Sequence, residues 1–284
     1  METALKLGDI QFLNSWPVTY ALRKGIVSAP FGIRWISAAP ADLNRRLLTG
    51  ELDAGPVSSL LYLRHLDELV PVPSLCIRSD SGVHSVLVVS YQPLSTLKGR
   101  TIGVSNQGAT TPVLLKLLSN HRQLKINLEV TPLRYPEILK EYPAALLIGD
   151  EALQASQSAD GLQWWDLGEA WTQWTNQPFV YALWVVRRSL VEEQPALLER
   201  IKEALHDSYG WGRDHEGDLI GAMRKEFPFE ATFLRRYLRD LSYHLDEKAW
   251  GGLARFAKEA EAVGELPKGT TRRIRQRERE HALC

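Results

Sequence analysis

The sequence is poor in several things that would narrow its function at once. It holds 2 cysteines, Cys76 and Cys284, too few for a disulfide framework. Cys76 sits in an apolar run and Cys284 is the last residue, so a buried thiol and a tail thiol are expected, as in a reducing compartment. There is no surplus of either charge. Lys and Arg number 34 and Asp and Glu number 34, which argues against a dominant electrostatic binder of nucleic acid. No run of about 18 apolar residues occurs, so no membrane span is expected. The opening segment METALKLGDIQFLNSWP lacks the apolar core of a secretion signal, so a cytoplasmic protein is expected.

Familiar catalytic motifs are also missing. The 7 histidines are scattered and none has metal-ligand spacing. No G-x-S-x-G, P-loop or G-x-G-x-x-G is found, so acyl-enzyme chemistry, nucleotide hydrolysis and dinucleotide binding lack their usual support.

What is present is an ordinary globular chain of 284 residues, long enough for two domains. Its first third alternates strand and helix signals. Strands are expected at 5–10, 33–37 and 53–57, and helices at 16–24, 41–48 and 60–65, the second with Leu43, Leu47 and Leu48 on one face. A second set follows, with strands at 84–90, 100–105, 128–132, 144–148, 164–167 and 180–186 and helices at 110–118 and 136–141. From Ser189 the pattern is helical until Gly264 and Pro267 end regular structure. The βα rhythm implies an α/β fold with mainly parallel sheets. Two long strands, 84–90 and 180–186, bracket a region with its own βα pattern. A discontinuous first lobe, 1–88 with 186–284, and an inserted second lobe, 89–185, are therefore expected, with a ligand cleft between them.

The remaining candidates are hydroxyl-rich and amide-rich turns at strand ends. These are Asn14-Ser15, Ser58-Ser59, Ser79-Asp80-Ser81-Gly82, Ser85 and Gly108-Ala109-Thr110-Thr111. In open α/β sheets ligands sit beyond the carboxyl ends of strands, where helix starts offer N–H groups to an anion. Each turn taken singly also fits plain N-capping. Asp150, after Gly149, is either an acid–base candidate or a cap. The aromatics Trp164, Trp165, Trp171, Trp174, Phe179 and Trp184 are either core or a wall over a ligand. The stretch Lys268–His281 carries six basic residues against two acidic ones and is expected to be a solvated terminal helix or tail.

Six segments carry a resemblance. FLNSWPVTYAL, LDAGPVSSLLYL, SGVHSVLVVSYQPLSTLKGRTIGVSNQGATTPVLLKLL, LLIGDEAL, DLGEAWTQWTNQPFVYALWVV and YHLDEKAWGGLARF together resemble the menaquinone-biosynthesis family of the futalosine pathway. The asparagine-bearing start and the DEAL segment are similar to its chorismate dehydratase branch rather than to its dihydroxynaphthoate synthase branch.

The resemblance implies a two-lobed, type II periplasmic-binding-protein-like fold. It implies chorismate as the substrate, 3-[(1-carboxyvinyl)oxy]benzoate as the product, and no cofactor or metal. Asn14 falls on the family's asparagine and Ser85 on its active-site serine. The family's Ser-Ala-Thr-Ser turn corresponds to Gln107–Thr111, with Ala109 and Thr110 matching and Gly108 departing from it. Catalytic roles are thus expected for Asn14, Ser85 and Asp150. Substrate contacts are expected from Ser15, Ser58, Ser59, Ser81, Gly108, Ala109, Thr110, Thr111 and Phe179. The alternatives are a non-catalytic receptor for a small anion, the sister enzyme of the pathway, or a regulator's effector domain. Neither a nucleic-acid nor a membrane partner is expected, and the sequence leaves the oligomeric state open.

Overall fold

A computed structural model describes residues 4–105, 108–158 and 161–281. The strands are β1 (Leu5–Asp9), β2 (Ile33–Ser37), β3 (Ala54–Ser58), β4 (Leu69–Ser79), β5 (Val86–Ser90), β6 (Thr101–Ser105), β7 (Asn127–Thr131), β8 (Ala145–Ile148), β9 (Gln163–Asp166) and β10 (Phe179–Arg187). The helices are α1 (Trp16–Arg23), α2 (Pro40–Leu48), α3 (Ser59–Arg64), α4 (Thr110–His121), α5 (Ile138–Glu141), α6 (Asp150–Ser156) and α7 (Leu167–Thr175). After β10 follow α8 (Arg188–Glu193), α9 (Pro195–Asp214), α10 (Glu216–Glu226), α11 (Ala231–Asp240), α12 (Glu247–Ala262) and α13 (Thr270–His281). The chain divides into two units, Met1–Arg78 with Val180–Asp246 and Ser79–Phe179 with Glu247–Cys284.

The first unit is built on a sheet of order β2-β1-β3-β10-β4. β1 runs parallel to β2 and β3, while β10 lies antiparallel to β3 with Ser58 opposite Ala182. Pro17 in the first turn of α1 suits a position whose N–H has no helical partner. Gly25, at φ 67°, stops the chain there. α9 packs on α1, and its buried residues Leu197, Ile201, Ala204, Leu205 and Ser208 lie on one helical face. The approach is close. A Cβ at Gly212 would lie 2.9 Å from the Pro17 carbonyl oxygen, so glycine is what lets the backbones meet. In α2, Leu43 and Leu47 are buried. Leu48, expected beside them, is exposed, because it lies one position beyond the buried stripe.

β4 is the main element that the sequence pattern does not reveal. It spans 11 residues and contains Pro71 and Pro73, with Ser74 at φ 61°. Prolines contradict a central strand but are tolerated at a sheet edge, and β4 is an edge strand. Ser242 pairs with it in turn, exchanging both backbone hydrogen bonds with Arg78 at 2.8 and 2.9 Å.

The second unit holds a sheet of order β7-β6-β8-β5-β9. β6 is parallel to β7 and β8, whereas β5 is antiparallel to both β8 and β9. Both sheets are thus mixed rather than mainly parallel. Leu87, Val89, Ala145, Leu147 and Ile138 form a fully buried core. A second nucleus joins α7 to α12. The ring centroids of Trp171 and Phe179 are 5.3 Å apart, and those of Phe179 and Phe256 are 5.1 Å apart. Gly252 meets the Pro178 carbonyl, and Lys116 pairs with Glu265 at 2.7 Å. These contacts associate 247–284 with the second unit, whereas the sequence reading assigns them to the first lobe, with divisions near 88 and 185.

The ending at Gly264 and Pro267 is a pause rather than a terminus. Regular structure resumes as α13, whose Ile274 is fully buried. Cys76 is buried and outside any disulfide, and Cys284 lies outside the described residues. No helix among the described residues is long and apolar enough to cross a membrane.

Candidate functional site

In the second unit, three of the expected turns come to one edge of the sheet. β6 and β8 are parallel neighbours, so the segment after β6 and the segment after β8 leave from the same side. The first carries Gly108, Ala109, Thr110 and Thr111, with the threonines opening α4. The second carries Gly149 and Asp150, with Asp150 opening α6. β5 runs antiparallel to β8, which brings Ser85 to this edge too. Gly149 N–H donates to the Ser85 carbonyl at 2.7 Å. Gly108 completes the cluster, since its Cβ would be in ordinary contact with Ile148, at 3.5 Å. Gln107 of the same turn lies outside the described residues.

Ser85 is held from behind by a residue that the sequence reading missed. Asp166 is buried, and its carboxylate accepts four backbone hydrogen bonds. One oxygen takes Val83 N at 2.9 Å and His84 N at 2.7 Å. The other caps α7 through Gly168 N at 2.9 Å and Glu169 N at 3.1 Å. The same carboxylate thus fixes both the helix start and the loop that leads into Ser85. That loop is tight. His84 stands at φ 58°, and Ser85 N donates to Val83 O at 2.7 Å. The helix-capping half was visible in sequence as an aspartate three residues before Glu169. The half that reaches 82 residues back leaves no local signal.

The first unit places its turns in the same manner. Asn14 lies in the turn after β1, and Ser58-Ser59 lies at the end of β3, the parallel neighbour of β1. The Tyr243 hydroxyl donates to the Asn14 carbonyl at 2.8 Å, which fixes the turn from the far end of the unit. Full burial holds that phenol well above its ordinary ionisation range, so it stays a donor. Beneath the turn, Asp9 pairs with Arg23 at 2.9 Å and accepts from Ser37 at 3.1 Å. Burial pushes the Asp9 carboxyl up, and the Arg23 charge offsets part of this.

The hydroxyls separate into two kinds. Ser15 donates to Ile10 O at 2.7 Å and to Phe12 O at 2.9 Å, within its own turn. Ser59 donates to Val180 O and so ties the start of α3 to β10. Both donors are already engaged in holding the fold. Ser58 Oγ and Thr111 Oγ1, by contrast, are buried with no hydrogen-bond partner. An unpaired buried hydroxyl costs roughly 1–3 kcal/mol, which a polar ligand recovers. Ser81 is exposed, and its carbonyl accepts from Ser79 at 2.9 Å. The Phe179 ring is fully buried between Trp171 and Phe256.

The six aromatics do not share one environment. Trp184 belongs to the first unit, Trp164 is 48% exposed, and Trp174 stacks on His121 at 4.5 Å. Among the described residues no group of three or more His, Cys, Asp or Glu is arranged to hold a metal. The chemistry available at these turns is therefore mainly hydrogen bonding from hydroxyls and amides, with Asp150 as the carboxylate candidate for proton transfer.

Comparison with solved structures defines the class first. The chain matches a protein from Archaeoglobus fulgidus with a TM-score of 0.79, at 20% identity over 93% of this chain and 98% of that one. It matches the periplasmic aliphatic sulphonate binding protein of Escherichia coli with a TM-score of 0.66, at 14% identity over 97% and 92%. It is an α/β protein with the periplasmic-binding-protein fold. Within that class the sequence is specific. A family model described as menaquinone biosynthesis matches residues 5–262, and the chain belongs to that family. It is also 32% identical to the chorismate dehydratase of Thermus thermophilus over 275 residues, which is 91% of this chain and 94% of that protein. The chain is thus an enzyme of menaquinone biosynthesis built on a binding-protein fold.

Proposed function

We propose that this protein is a chorismate dehydratase, a hydro-lyase that converts chorismate to 3-[(1-carboxyvinyl)oxy]benzoate and water in the cytoplasm. The observation that carries the reading is the 32% identity to a protein of that name along nearly the whole of both chains. The chemistry of the turns agrees with it.

Dehydration removes the ring C3 hydrogen as a proton, which the base passes to the departing C4 hydroxyl, so that one water leaves and the ring becomes aromatic. The C3 hydrogen is conjugated through the ring double bond to the C1 carboxylate, so negative charge builds there as the proton leaves. A site that stabilises this charge needs fixed hydrogen-bond donors more than a strong acid or base. Ser58, Thr110, Thr111 and the N–H groups at 108–111 supply donors of that kind for the carboxylates. Asn14 and Ser85 orient the leaving hydroxyl and the reacting edge. The base is either Asp150 or the enolpyruvyl carboxylate of the substrate itself.

Incubation of purified protein with chorismate tests the reading, with the product resolved from prephenate formed in the background. Carboxyvinyloxybenzoate is expected. Its absence, with turnover of a futalosine-derived substrate instead, transfers the protein to the sister reaction. Asn14→Ala and Ser85→Ala are each expected to lower kcat by at least 100-fold (about 2.7 kcal/mol). Normal turnover in both would remove the site assignment. A normal rate in Asp150→Asn would leave the substrate carboxylate as the base.

A further inference from the structure

The basic C-terminal stretch plays no part in the chemistry above, yet it is not a loose tail. It forms α13, which packs on α12 through the fully buried Ile274. Between α12, α13 and the turn after α7 lies a groove of about 420 Å³. Arg255 and Lys258 line it from α12, and Arg275 and Arg279 line it from α13. Spacings of three and four residues put each pair on one helical face. One carboxylate, Glu278, lines the groove against these four cations.

Some arginines elsewhere are neutralised by carboxylates. Arg45 bridges Asp42 and Glu51, and Arg187 pairs with Asp53 at 2.9 Å. In the groove, Lys258, Arg275 and Arg279 make no ion pair among the described residues. Arg255 is pre-set by its neighbours. Its Nε donates to Glu259 at 2.8 Å, and its guanidinium lies over Trp174 at 5.5 Å from the ring centre. Gln177 adds a neutral amide. Its Oε1 is 3.1 Å from where a Cβ on Gly251 would stand, so the absence of a side chain at 251 makes room for it.

Four cations converging on one groove repel one another unless an anion joins them. Guanidinium forks and an ammonium match the several oxygens and double charge of a phosphate group. Glu278 within the groove and Glu259 beside Arg255 interrupt the basic surface, which disfavours a long polyanion and leaves room for a compact anion among the four cations. We propose that this groove binds a phosphorylated small molecule through its phosphate group.

Calorimetric titration of the full-length protein with inorganic diphosphate, and separately with ADP, tests this. Binding is expected for at least one of them, the organic diphosphate the tighter if the natural ligand is an ester and the inorganic one if it is free phosphate. In Lys258→Ala/Arg275→Ala the affinity is expected to fall at least 10-fold, and several-fold in the milder Arg275→Gln. Lys24→Ala, in the first unit, should change nothing. Turnover of chorismate should be unaffected in all three, because none of these residues belongs to the proposed active site. No heat from either ligand at millimolar concentration, or equal affinity in the double variant, would overturn the proposal.

Discussion

Ser58 and Ser59 are adjacent and chemically identical, yet the fold gives them opposite roles. Ser59 donates to the Val180 carbonyl inside the sheet, while the Ser58 hydroxyl is buried without a partner. Ser59→Ala should therefore destabilise the protein by about 1–2 kcal/mol, because it orphans a buried carbonyl. Ser58→Ala should raise the melting temperature of the ligand-free protein, by removing a buried hydroxyl that has no partner, and raise KM for chorismate, since only a ligand uses that hydroxyl. Thermal melts and steady-state kinetics on the pair would separate them. Asp166 is the residue on which the Ser85 loop depends most. Asp166→Ala removes acceptors from four N–H groups and should cost about 3 kcal/mol. Asp166→Asn keeps one acceptor oxygen and should recover part of that stability, while kcat stays low because one edge of the clamp is open. At this scale the sequence showed which residue types stand at strand ends. It did not separate hydroxyls engaged in the fold from those still free, because that depends on partners such as Val180, which lies 121 positions away.

At the scale of elements, the start of α13 is held by a single carboxylate. Glu261 accepts from Gly269 N at 2.7 Å, from Thr271 N at 2.9 Å and from Thr271 Oγ1 at 2.7 Å. The Thr271 hydroxyl, the Thr271 N–H and the Gly269 N–H together hold that carboxyl below its ordinary value of 4.5. A folded-state pKa below the unfolded one stabilises above about pH 4.5. The contribution is lost as pH falls through the depressed folded value. Acidification should therefore loosen α13 before the sheets unfold, and Glu261→Gln should abolish that early step at a constant cost of about 1 kcal/mol. Hydrogen exchange of the α13 amides between pH 6 and pH 3 would show both effects. Strands with apolar alternation and helices with regular spacing were legible in the sequence. β4 was not, because Pro71 and Pro73 oppose the pattern and only its edge position makes them acceptable. α7 was missed because its signal is mainly a cap, whereas α13 stood as one of two alternatives, a terminal helix or a tail, because Gly264 and Pro267 close one helix without excluding another.

For the whole molecule, the family resemblance and the α/β class were legible from end to end. What the pattern did not show was the allegiance of the last segment. Strand periodicity places an insertion by where the chain leaves and re-enters a sheet, whereas α12 is assigned by side-chain contacts such as the aromatic set around Phe256. Truncation after Asp246 tests that allegiance. It removes α12 and α13 from the second unit and leaves the first unit with all its strands. The truncated protein should lose the near-ultraviolet dichroism of Trp171 and expose the second unit to protease. The hydrogen-exchange protection of β1, β2 and β3 should persist. Loss of protection in both units together would instead show one cooperative structure.

The chain passes between the units three times, after Arg78, Phe179 and Asp246, and this order matters while the protein is being made. All five strands of the second sheet have been synthesised by Asp166, but Phe256 arrives roughly 90 residues later. At about 5–20 residues per second, Trp171 and Phe179 wait several seconds on the ribosome with one face of their nucleus uncovered. The first sheet has the reverse problem: β1, β2 and β3 emerge early and stand beside a missing neighbour until β10 is made. Each half of the nascent chain is thus completed by residues translated long after its beginning, so this enzyme should depend on holding chaperones while it is made.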